Sequence, residues 1–342
     1  MSERTGSRQP RRRILGVAFC LGFAATVIRA APRARTGTVS NGNVRLAATL
    51  DLPDGPGPHP VMVVLHASGE GERGFASYRH LPKILPASGI GVLRYDRRGS
   101  GASSGDFERA SFPDLASDAR AVIAWARASA DVDRRRLGLW ALSQGGWIAP
   151  LVAAADPSIA CLVIVSGAGG TPAEQMLYSA RFALREAGYD SRAIERAVRL
   201  RRAVDAYYAG RRPREDVATI LKEEKSEPWY KLAAVPDELP RDVRSTKWYY
   251  QFAFDPAASM AKVRAPVLLL HAERDPWIPI EQARFAWKAR SPAPLTIRTI
   301  PGANHFMAAT TDPAHDADPE PISEEYTRAM VEWLTNALGI RR

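Results

Sequence analysis

A chain of 342 residues, 46% of them hydrophobic, can bury one large core or a core with an inserted segment, which excludes a fibre or a largely disordered chain. The formal charge of +10 suggests nucleic acid at first sight, but residues 1–35 carry eight arginines against the single acid Glu3. The rest holds 39 basic and 36 acidic residues, scattered through helical stretches, so no basic face for nucleic acid is expected.

The amino terminus reads as a unit. Arg11-Arg12-Arg13 precede a moderately apolar stretch, residues 14–28, and then Arg29-Ala30-Ala31-Pro32. A basic segment, a short apolar segment and small residues predict an export signal over residues 1–31. Paired arginines before Ile14-Leu15 suit the twin-arginine route, so a periplasmic or secreted protein is expected. The alternative is an amino-terminal anchor, the one membrane association expected, but an apolar run of about 15 residues is short of the roughly 20 that a span needs. Cys20 lies in this stretch, and bulky Phe19 before it argues against lipidation. Loss of the signal leaves Cys161 alone, in an apolar run, as an inert core thiol without an internal disulfide.

Residues 36–52 predict a hairpin turned at Asn41-Gly42. A Pro/Gly loop leads to the short apolar run Val61-Met62-Val63-Val64-Leu65, the signature of a buried parallel strand. Helix then alternates with strand: a helix near 78–88, a strand at 91–96, a helix from Phe112-Pro113-Asp114 to about 130, a strand at 136–142, a helix at 145–155 and a strand at 160–165. Further on come strands at 266–270 and 295–300 and helices at 280–290 and 323–338. This alternation predicts an α/β protein with a mostly parallel, doubly wound sheet. Between 170 and 263 strand signals vanish, and helices are expected at 173–187, 191–208 and 214–225. The simplest organisation is a core in two parts, 32–169 and 264–342, with a helical cap inserted at 170–263. Trp229, Tyr230, Trp248, Tyr249 and Tyr250 either line a pocket or pack this cap onto the core.

The chemistry is suggested by Trp140-Ala141-Leu142-Ser143-Gln144-Gly145-Gly146. A strand, a sharp turn with a central serine and a helix push that serine out at the carboxyl end of the sheet. The motif departs from G-x-S-x-G at Ala141. A serine nucleophile needs a base, an orienting acid and donors for the oxyanion. His305 follows the last strand and is the candidate base. Asp275 follows the penultimate strand and is the candidate acid, with Glu273 as its fallback. For the oxyanion hole the backbone N–H groups of Gln144 and of Ser68, the latter in the loop after the first core strand, are the candidates. That Gly-rich loop lacks the Gly-Lys-Ser/Thr of a phosphate site and carries Glu70 and Glu72. No His or Cys pairs stand at metal-ligand spacing, and neither metal nor cofactor is expected.

The order Ser143, Asp275, His305 is that of α/β-hydrolases. The chain resembles bacterial α/β-hydrolase serine esterases related to the dienelactone-hydrolase and prolyl-oligopeptidase-like branches. The resemblance rests on Leu65-His66-Ala67-Ser68-Gly69, Arg94-Tyr95-Asp96-Arg97-Arg98-Gly99, Leu142-Ser143-Gln144-Gly145-Gly146, Ala272-Glu273-Arg274-Asp275 and Gly302-Ala303-Asn304-His305, across about residues 36–340. It implies an α/β-hydrolase fold and a serine carboxylesterase acting on small ester substrates. Dienelactone hydrolases use cysteine, so Ser143 argues against that activity. Ala67, Ala141 and Ala272 stand where such families carry glycine, and alanine disfavours positive φ. Peptide or thioester cleavage on the same residues, or a non-catalytic binding protein on this scaffold, are the rival readings.

Overall fold

In the computed structural model the described residues are 33–309 and 319–340. The expected export segment lies outside them.

The chain opens with a hairpin of β1 (Arg33–Asn41) and β2 (Val44–Leu52). Its two loop residues are Gly42 and Asn43, one place later than the Asn-Gly expectation, because Asn41 pairs with Val44 and Gly42 supplies the positive φ of +57°. β3 (His59–Leu65) leads through α1 (Ala76–Ile84) to β4 (Gly91–Tyr95), and α2 (Phe112–Arg127) to β5 (Val132–Leu142). α1 is shorter than expected, as Pro86 opens a separate 3₁₀ turn. β5 starts earlier than expected; Arg134-Arg135-Arg136 hide a strand whose first residue, Val132, pairs with His59. α2 is fixed at its start by a capping box between Ser111 and Asp114.

α3 (Gly145–Ala155) and β6 (Ile159–Val165) follow. The connection from β6 to β7 (Val267–Ala272) is helical: α4 (Pro172–Glu186), α5 (Ser191–Tyr208), α6 (Arg214–Glu224), α7 (Lys247–Gln251) and α8 (Ala257–Met260). α9 (Ile280–Arg290), β8 (Leu295–Ile300) and α10 (Glu324–Ala337) complete the chain. Among the described residues no helix is long and apolar enough to cross a membrane.

The eight strands form one sheet in the order β1-β2-β4-β3-β5-β6-β7-β8. β1 with β2 and β2 with β4 are antiparallel, and every pairing from β4 through β8 is parallel. The continuous apolar runs are explained by burial on both faces. Along β3, Val61, Val63 and Leu65 face a layer containing α2, α3 and α9, while Met62 and Val64 face α1 and α10. Cys161 lies in the second layer, and burial pushes its thiol up to about 12. The β6–β7 connection has an apolar cluster of its own, including Leu184, Leu200, Val204, Leu221, Trp229 and Tyr230.

This topology sets the site. In a parallel sheet the residues after β3, β5, β7 and β8 share one edge, where ligands of such folds bind. Ser68, Ser143, Asp275 and His305 all follow those strands.

Candidate active site

Ser143 directly follows β5 and adopts φ +52°, a left-handed conformation that a non-glycine residue rarely takes. Its N–H donates to the Val165 carbonyl at 2.9 Å, and its own carbonyl accepts from Gly146 N–H at 2.8 Å. These bonds hold the strained turn and bring the hydroxyl out of the strand. Gln144 caps α3, so its N–H is among the amides left without a partner inside the helix, at the positive end of the dipole.

The departure at Ala141 has a simple structural account. Positive φ falls on Ser143, whereas Ala141 is an ordinary strand residue paired with Leu65 and Ile164. Its methyl fits because Gly145 has none: a Cβ at Gly145 would lie 2.7 Å from the Leu65 carbonyl oxygen and 3.2 Å from Ala141 Cβ. Ala67 and Ala272 also avoid positive φ, so the strain expected at the three alanines is absent. Gly145→Ala is therefore expected to cost about 1–3 kcal/mol through overpacking of α3 against β3. A denaturant melt measures this; an unchanged midpoint would show that α3 can shift aside.

The candidate base and the candidate acid meet. His305 Nδ1–H donates to both carboxylate oxygens of Asp275, each at 2.9 Å, and both side chains are buried. Asp275 is itself aimed by backbone: its Oδ1 accepts from Trp277 N–H at 2.9 Å and Ile278 N–H at 3.2 Å. Asn304 braces the loop under His305, with Oδ1 accepting from Phe306 N–H and Ala308 N–H. Glu273, the fallback acid, instead accepts from Gly302 N–H at 2.9 Å and ties the two loops together. Of the other strand-end histidines, burial holds His66 down at about 3 and His271 at about 4, so both stay neutral.

The loop after β3 is pinned from several sides. His66 Nε2–H donates to the Tyr95 carbonyl at 2.6 Å. Ala67 N–H donates to the Tyr78 hydroxyl, which donates to the Glu70 carbonyl. Arg97, buried under Phe107, donates from Nη1 to the carbonyls of Ala67 at 2.7 Å and Ser68 at 2.9 Å. In a trans peptide the Ser68 N–H points opposite to the Ala67 carbonyl, hence away from Arg97. Arg97 occupies the unspecified position of the Arg-Tyr-Asp-x-Arg-Gly stretch, which concealed this role in the sequence.

Ser68, Ser143, Gln144 and His305 line one cavity of about 570 Å³. No Ser143–His305 hydrogen bond forms among the described residues; in unliganded sites such bonds commonly tighten only with substrate. Apolar walls come from Trp147, Met176, Trp248, Trp277 and Phe306. Of the aromatics singled out in the sequence, Trp248 alone lines this cavity. Trp229 and Tyr230 are buried in the cluster of the β6–β7 connection, and Tyr249 packs edge-on against Tyr250. Trp277 and Phe306 carried no sequence signal of their own, being placed only by their nearness to Asp275 and His305. Among the described residues no group of three or more His, Cys, Asp or Glu is placed to hold a metal.

The parallel sheet, the serine elbow and the edge-sharing loops define a hydrolase of the α/β-hydrolase fold. The chain belongs to the X-Pro dipeptidyl-peptidase (S15) family, whose model matches residues 41–305. A 31.7 kDa protein of Escherichia coli from the traX-finO intergenic region is 25% identical over 252 residues, covering 71% of this chain and 82% of that protein. Among solved structures, Est1E of Butyrivibrio proteoclasticus with ferulic acid bound superposes with a TM-score of 0.59 at 19% identity, covering 89% of this chain and 99% of the other. Proline iminopeptidase of Mycobacterium smegmatis gives 0.57 at 18% identity, covering 89% and 99%. At these identities the likenesses establish the fold.

Proposed function

We propose that the protein is a serine esterase that cleaves carboxylic esters through an acyl-enzyme. The observation that carries this reading is the two-oxygen hold of Asp275 on His305 Nδ1, beside a serine held at positive φ in the same cavity. With Nδ1 protonated, His305 presents a bare Nε2. Ser143 Oγ attacks the ester carbonyl carbon as its proton passes to Nε2. The oxyanion takes hydrogen bonds from the N–H groups of Gln144 and Ser68, each such donor being worth about 10²–10³ in rate. His305 then returns the proton to the departing alcohol. Water attacks the acyl-serine with His305 again as base, and the acid leaves.

The four aromatic walls and Met176 favour an acyl or alcohol part that is aromatic or extended and apolar. Residues 170–263 serve as a cap that narrows access to Ser143. The amino-terminal segment, residues 1–31, supports export, with the substrate met outside the cytoplasm.

Family membership favours one rival, cleavage of a peptide bond after an Xaa-Pro pair on the same residues. Turnover of p-nitrophenyl esters of increasing acyl length is compared with that of Xaa-Pro-p-nitroanilides, alongside fluorophosphonate labelling. The esterase reading expects ester turnover and label on Ser143. Turnover confined to the anilides would replace it with the peptidase reading, and a folded protein that takes no label would favour a binding role.

A further inference from the structure

One side chain of the β6–β7 connection hydrogen-bonds to the nucleophile elbow. Gln251, the last residue of α7, donates from Nε2 to the Ala110 carbonyl at 3.1 Å. Its Oε1 accepts from Gln144 Nε2 at 2.9 Å. Gln144 is 2% exposed and Gln251 1%, and both line the cavity beside Ser143.

The direction of this chain is dictated from its far end. A backbone carbonyl can only accept, so Gln251 must turn its NH₂ to Ala110 and its oxygen to Gln144. Gln144 must answer with its own NH₂. The remaining group, Gln144 Oε1, is thereby fixed as an acceptor, and among the described residues it is buried without a hydrogen-bond partner. A buried acceptor left unpaired is costly, and a donor on a bound molecule relieves that cost. Among the described residues no Lys or Arg lines the cavity, so these walls supply no cation to meet that oxygen.

We infer that Gln144 Oε1 is a specificity-determining acceptor for an uncharged donor, a hydroxyl or amide N–H, on the acyl part of the substrate. The inference rests on the esterase reading and narrows it from apolar esters to apolar esters bearing a donor close to the scissile carbonyl. Gln144 thus holds the substrate twice, its main-chain N–H at the oxyanion and its side-chain oxygen on the neighbouring donor. Gln251 acts as a positioning residue that keeps the side-chain amide from flipping.

The test compares kcat/KM for p-nitrophenyl 3-hydroxybutyrate, 3-methoxybutyrate and butyrate. The methoxy ester can accept but not donate, so it separates donor recognition from polarity and size. The wild type is expected to favour the hydroxy ester by about tenfold over both others. Gln144→Met should bring that ratio to about one whatever happens to the absolute rate, while Gln144→Glu, which keeps an acceptor, should retain a preference. Gln251→Met should weaken the preference by freeing the amide. Should a variant fail to fold, the three wild-type rates still decide. Equal rates on the three esters overturn the inference alone, and failure to hydrolyse any of them overturns the esterase reading and the inference with it.

Discussion

Ser143→Ala is expected to lower kcat on any accepted ester by about 10⁵–10⁶-fold while the protein remains folded. The replacement removes only the hydroxyl. The elbow is held by main-chain bonds, Ser143 N–H to Val165 and Gly146 N–H to the Ser143 carbonyl, and alanine keeps both. Serine and alanine suffer alike at φ +52°, so the thermal midpoint should move by no more than a few degrees. What survives is the contribution of the oxyanion donors and of binding, roughly 10³–10⁴ over water. Steady-state hydrolysis with a thermal melt on the same preparation checks both halves. Wild-type turnover in the variant would remove Ser143 from the chemistry.

Asp275→Asn should cost about 10⁴-fold in kcat, for a reason particular to this loop. Asp275 Oδ1 accepts from two backbone amides, those of Trp277 and Ile278, and both oxygens accept from His305. An asparagine must leave its one oxygen with the two amides, which have nothing else to bond within the turn. Its NH₂ then faces His305 Nδ1 and demands an acceptor there. The imidazole answers by moving its proton to Nε2, the nitrogen that must take the serine proton. Fold and cavity are preserved and the tautomer is wrong. Nitrogen-15 spectra of the His305 ring should show the proton transferred from Nδ1 to Nε2. An unaltered tautomer together with unaltered kcat would exclude Asp275 as the orienting acid.

The fold was legible where the physics is local. Apolar runs buried on both faces marked the core strands, and Phe112-Pro113-Asp114 marked the start of α2. The strand start at Val132 was hidden by the arginines that follow it. The residues after strands could be assigned to one sheet edge because a parallel sheet leaves no other arrangement, which is why Ser143, Asp275 and His305 could be named as candidates from their order. The three alanines in glycine positions could not be judged from type alone. Whether an extra methyl fits at Ala141 depends on Gly145 across the turn, and that is a contact between elements. Arg97 and Gln251 were beyond reach for the same reason: each acts through a long-range bond, to the Ala67 carbonyl and to Gln144. Nothing in the local pattern around either residue encodes such a partner.

The separate apolar cluster of the β6–β7 connection divides labour in a way that bears on how such a protein can change. The candidate catalytic groups hang from the sheet edge, whereas Met176, Gln175 and Trp248 reach the cavity from a segment stabilised by Leu184, Leu200, Val204 and their neighbours. Exchanges at those three walls leave both apolar layers against the sheet intact. Selection can therefore redraw what the enzyme accepts by drift in one packing unit while the other keeps the reaction constant, and a library confined to positions 175, 176 and 248 samples new substrates without spending stability on the elbow.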